Sequence, residues 1–390
     1  MATRIEFAAP AAALRSPRRW INGPWVDFLT LGGGSFVVLG ALAAFFPRDD
    51  ASRAALAGAM LLLAHFVNHP HFAHSYQLFY RDFVRKAFSD ESPLAARYRF
   101  AGIMIPALLA AFFAIALSQG TAALLGLAAN VMFFTVGWHY AKQGYGILML
   151  DAARKGVRFP ETARRWLLGN THLVWFTWWL VANDALRAKQ LWGIEYYLLD
   201  VPEAVLIPMA ALAAMSTAVT AWRLTAACRA AGALPVNGLV AYAAAAYVWL
   251  FVGRLDPILL VVVPFFHSLQ YMAVVWRYQS NVETDRRDDG DRTGWRRWVR
   301  STPFGLARFA VAGGILGAAG FWGAPLAADA LGGYDRAVFG TAAFLFVAWT
   351  FINIHHYFID NVIWRRGNPE MARHLFRAAG RRSYGGYPGP

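Results

Sequence analysis

The chain has few covalent or charged features to stabilise it. Of its 390 residues only one is cysteine, Cys228, so no disulfide can form within it and no thiolate cluster can hold a metal. Charged residues make up 15% of the total against 58% hydrophobic, which is little with which to solvate a soluble protein of this size. Convincing Gly-rich phosphate loops, Ser-His-Asp arrangements and the HExxH pattern of zinc hydrolases are all missing. The first 24 residues lack an apolar stretch before a small-residue cleavage site, so they read as a cytoplasmic tail rather than a signal peptide. A net charge of +14 would suit nucleic acid if the basic residues formed one patch. They are instead scattered among loops, and no nucleic-acid partner is expected.

What the chain has in abundance is apolar sequence. Runs long enough to cross a bilayer, about 20 residues, occur near 26–46, 55–79, 100–118, 121–149, 166–183, 196–221, 237–253, 255–276, 304–323 and 336–359. The expected fold is therefore all-α, a polytopic integral membrane helical bundle of about ten transmembrane helices. Lys and Arg concentrate before the first run and after the second, fourth, sixth, eighth and tenth, which by the positive-inside rule puts both termini in the cytoplasm. The expected layout is a tail over 1–24, a membrane domain over 25–364 with a cytoplasmic loop at 279–301, and a second tail over 365–390. Within the loop, WRRWVR (295–300) reads as an interfacial anchor. The expected location is the bacterial inner membrane, with membrane lipids all round.

Against this apolar background the histidines stand out. The stretch HFVNHPHFAHSYQ (65–77) carries His65, His69, His71 and His74, and His139, His172, His267, His355 and His356 also fall inside spans. With the topology above, all of these lie at mid-depth or in the cytoplasmic leaflet. Ionisable groups are costly in a bilayer and normally face a bundle interior or a watery cavity, so such a cluster marks a functional site. One metal ion satisfies several imidazole lone pairs at once. A metal site is therefore expected, with His65, His69, His71, His74, His139, His267, His355 and His356 as its candidate ligands. His172 reads instead as a core imidazole bonded across helices. Tyr140, Gln143, Tyr271 and Asp360 are the candidates for orienting ligands or relaying protons, since Gln143 and Asp360 fall one turn beyond His139 and His356. Pro70 should kink its helix and swing the two histidine pairs around one cavity. Lys142 should snorkel toward the inner surface.

A short internal repeat ranks the candidates. PHFAHSYQ (70–77) is similar to PFFHSLQ (264–270), and WHYAKQ (138–143) to HHYFID (355–360). The pairs run in the same direction, as in a parallel duplication. His74, His139, His267 and His356 occupy the shared positions, so they are expected to meet on the bundle axis. The other histidines are left for a second metal or for polar support.

Imidazoles with few carboxylates suit iron, copper or zinc. HFVNH (65–69), HPHFAH (69–74) and IHH (354–356) resemble the histidine boxes of membrane fatty acid desaturases and hydroxylases, although the HxxHH boxes of that family are absent. Single histidines spread over four helices resemble the polytopic Brp/Blh-type carotene dioxygenases, whose PHGxxDH-like signature is not matched. These resemblances imply one or two iron ions, O2 as co-substrate, an apolar lipid-like substrate and an electron donor. The function expected is thus an iron-dependent oxygenase or desaturase. A haem- or pigment-binding electron carrier and a metal or proton-coupled transporter are the alternatives.

Overall fold

The computed structural model describes residues 20–90, 92–185, 190–288, 302–365 and 367–376. Most of both expected tails and the anchor at 295–300 lie outside them. Eleven helices make up the bundle: α1 (Pro24–Phe45), α2 (Asp50–Ala64), α3 (Asn68–Tyr80), α4 (Ala95–Ser118), α5 (Ala123–Arg154), α6 (Glu161–Ala185), α7 (Glu203–Ala231), α8 (Val236–Leu255), α9 (Val263–Asp288), α10 (Thr302–Leu331) and α11 (Ala343–Ile363). A ribbon of two-residue strands, Gln190–Leu191 and Ile194–Glu195, is the one departure from an all-helical chain among the described residues.

Eight helical segments are long and apolar enough to cross a membrane, with α2 and α3 counted together. The expectation was ten. The other two, α6 and α11, are full-length helices, but Asn170, His172 and several tryptophans in one, and Asn353, His355, His356 and Asp360 in the other, lower their hydropathy. Part of the expected loop at 279–301 is also helical, because α9 continues to Asp288.

The segment around Pro70 is a break rather than a kink. The helical ladder stops at His65, and Val67 leaves helical geometry with φ −125° and ψ −53°. Proline donates no N–H, and its ring crowds the carbonyl four residues earlier, here that of Phe66. The disturbance therefore falls on residues 65–67, N-terminal to the proline itself. A new helix, carrying His69, His71 and His74, starts at Asn68.

Close contacts without side chains hold the neighbours of α3 in place. On α10, Gly313 and Gly317 are one turn apart and face His74 and His69; a Cβ at Gly317 would lie 2.8 Å from the His69 carbonyl carbon. This is the small-xxx-small packing that lets membrane helices approach backbone to backbone. Gly32, in a π-type turn of α1, has φ +155° and meets the backbone of α8, where a Cβ would stand 3.1 Å from the Val240 carbonyl oxygen. The result places α3, α5, α9 and α11 around one interior point.

Candidate metal centre

One histidine from each of those four helices reaches that point. His71, His139, His267 and His356 each offer a ring nitrogen, and the four atoms all lie within 4.8 Å of one another. Ring centroids are separated by 5.0 Å for His71 and His267, 4.9 Å for His267 and His139, 4.8 Å for His139 and His356, and 4.6 Å for His356 and His71. The His71–His139 diagonal is 6.5 Å. The rings thus form a quadrilateral with nitrogens turned inward. His71, His267 and His356 are 2% exposed or less; the His139 side chain keeps 11% of its surface.

Each ring is fixed by its surroundings. His71 Nδ1 lies 3.1 Å from Ser268 Oγ, and that hydroxyl donates its own proton to Asn68 Oδ1 at 2.7 Å. With its proton committed, Ser268 can only accept from His71, which puts the imidazole proton on Nδ1. The lone pair is then on Nε2, an atom that is buried with no hydrogen-bond partner. Such tautomer-fixing partners are the usual support of a metal-bound imidazole. His267 is stacked against Tyr140 at 3.9 Å between centroids and meets the edge of Trp249; neither of its ring nitrogens has a hydrogen-bond partner.

His139 and His356 meet Nε2 to Nε2 at 3.2 Å. One turn along α11, Asp360 Oδ2 is 3.4 Å from His356 Nε2 and 3.6 Å from His139 Nε2. Its other oxygen is 3.5 Å from the Tyr271 hydroxyl, which makes a short hydrogen bond with Ser75. A single buried carboxylate therefore faces two of the four imidazoles. Left without a cation, each unpartnered buried nitrogen or oxygen would cost on the order of 1–3 kcal/mol.

The other expected ligands are placed elsewhere. His74, ranked first by the repeat, packs flat on Phe309 at 4.1 Å and bonds Gln77 Oε1 through Nδ1 at 2.8 Å, facing α10. His71, three residues earlier on the same helix, takes the position expected of it. His355 has both nitrogens engaged: Nε2 with the Ala101 carbonyl at 2.9 Å and Nδ1 with the Tyr76 hydroxyl at 2.8 Å. His69 is enclosed by Phe321, Trp322 and Trp349. His65 is exposed, stacks on Trp322 and bonds the Leu61 carbonyl. His172 stacks on Trp138.

Of the expected helpers, Tyr271 and Asp360 adjoin the imidazoles and Tyr140 supports His267 by stacking. Gln143 points away from the ring nitrogens. Its amide donates to the His267 carbonyl at 3.1 Å and to Gln270 Oε1 at 2.8 Å, and Gln270 donates in turn to Leu31 on α1. It is a clamp between α5, α9 and α1. Ser268 was not anticipated as a partner of His71; the one sequence signal was its place in a His-Ser pair that occurs twice.

Four buried histidines close together are compatible with a metal site. Compared with known proteins, the chain matches no family model, no curated protein and no solved structure.

Proposed function

We propose that His71, His139, His267, His356 and Asp360 hold a single iron ion, and that the protein is a membrane-embedded oxidoreductase that uses O2 on an apolar, lipid-like substrate. The observation that carries this reading is the convergence of four imidazole nitrogens within 4.8 Å at the meeting of four helices. Nitrogen donors joined by one carboxylate suit iron, which His71, His139, His267, His356 and Asp360 would hold. A single ion is favoured over two because His65, His69, His74 and His355 are turned to other surroundings. The same closeness favours a bare ion over haem, since a macrocycle would need the space between the rings. The alternation of basic loops supports ten spans with both termini inside, α6 and α11 being the two more polar ones.

Iron bound there would supply oxygen binding and one-electron chemistry. The chain's own contribution is to keep water out and to fix charge and protons. Asp360 offsets positive charge among neutral imidazoles, and Tyr271 holds a proton between Ser75 and Asp360. An electron donor completes the proposed system.

Metal analysis of the protein purified in detergent tests the reading directly. One iron per chain is expected, with loss of the iron in His139→Ala and His356→Ala and weakened retention in Asp360→Asn. Stoichiometric zinc in its place, or an iron-free protein that consumes O2 at the full rate with its lipid substrate, would overturn it.

A further inference from the structure

A polar cluster beside the centre is not used by the metal. Lys142 follows His139 by three residues on α5, about 4.5 Å along the helix axis. A cation at this depth needs a counter-charge or an exit to the interface. Lys142 Nζ has instead a neutral acceptor, Asn361 Oδ1 at 2.8 Å, and the Trp138 ring at 5.8 Å. Four residues beyond Asn361, just past the end of α11, the chain carries a second cation, Arg365. No ion pair joins Lys142 or Arg365 to a carboxylate among the described residues. Adjoining the lysine, Trp138 Nε1 and His172 Nε2 are buried without hydrogen-bond partners, their rings stacked at 4.3 Å.

This cluster lies on a partly open polar strip. On α11, Asn353, Tyr357 and Asn361 recur every four residues and are all half-buried, as are Trp138, His139 and Lys142 on α5. Polar side chains on a half-open face within the membrane are expensive unless they meet something polar. The strip reaches the centre through His139, the one member of the four that keeps appreciable surface.

We infer that the strip receives the head of the substrate, and that the substrate is a single-chain amphiphile with an anionic headgroup, a carboxylate or a phosphate, held by Lys142. This rests on the proposed metal centre. Asn361 follows His356 by five residues, about 7.5 Å along α11. The carbon presented to the centre is therefore in the head-proximal part of the chain, and the rest of the chain leaves toward the bilayer.

Equilibrium dialysis on the metal-loaded protein in neutral detergent tests this with three radiolabelled probes: palmitate, lysophosphatidate and hexadecanol. At least one anion should bind saturably, and whichever binds more tightly identifies the headgroup. Lys142→Met should weaken that binding about tenfold or more, Lys142→Arg should retain it, and hexadecanol binding should be the same in all three proteins. Equal affinity for the alcohol and both anions, or unchanged anion binding in Lys142→Met, overturns the inference. Iron measured on the same samples separates the two readings. A Lys142→Met protein that keeps its iron and loses the anion isolates the headgroup site, whereas iron-free preparations refute the metal centre.

Discussion

His69 and His71 are two residues apart on the same helical turn, and their rings have opposite surroundings. His71 has one nitrogen tied to Ser268 and the other turned toward three more imidazoles. Neither nitrogen of His69 has a partner, and its ring is walled in by Phe321, Trp322 and Trp349. His355 is a third case, with both nitrogens consumed by protein groups. A ligand needs a nitrogen free toward a point shared with other donors. By that standard His71 fits a metal site, His355 is spent and His69 is isolated.

The largest expected effect follows from this contrast. His71→Ala should abolish iron retention, a loss well beyond the roughly 10–100-fold expected for an outer hydrogen-bond partner. His74→Ala, one turn away on the same helix, should leave the iron content at the wild-type level. Metal analysis of the two purified variants checks both, and the reverse ranking would restore the assignment based on the repeat.

That reversal marks where the sequence was legible and where it was not. Apolar run lengths gave the helical bundle, and the His-Tyr spacing brought His139 and His356 to the same point, with Asp360 one turn on. Aligning His74 with His267 failed because the alignment ignored helix rotation. His71 and His74 are three residues apart on the helix that starts at Asn68, and it is His71 that faces the other three imidazoles while His74 faces α10. α6 and α11, both read as spans in the sequence, are less apolar than the other eight because of polar residues such as Asn170 and His172 in one and His355, His356 and Asp360 in the other. Gln143 was legible as a polar group inside a span, but its partners belong to α9 and could be found only once the helices were packed.

A smaller effect sharpens the case of His71. Ser268→Ala removes the group that fixes its tautomer while leaving all four ring nitrogens in place. Iron affinity should fall about 10–100-fold, read by competition with a chelator, with saturation still reached at high iron. An unchanged affinity would mean that the ring is oriented by packing against Tyr271 and Phe72 alone.

The smallest effects come from placing phenylalanine at the two histidines outside the centre, and they should differ in sign. At position 355 the ring leaves the Ala101 carbonyl and the Tyr76 hydroxyl unpaired in the interior, which should cost about 1–3 kcal/mol of stability. At position 69 no hydrogen bond is lost, because none is made, and an apolar ring stacks as readily on Phe321. Replacing an unsatisfied buried polar group by an apolar one of similar shape is neutral or stabilising, so His69→Phe should hold or raise Tm. Both variants should keep their iron. If His69→Phe loses it, then His69 serves the centre in a way its enclosure hides, and the division between the two sets of histidines fails at the pair of residues that best defines it.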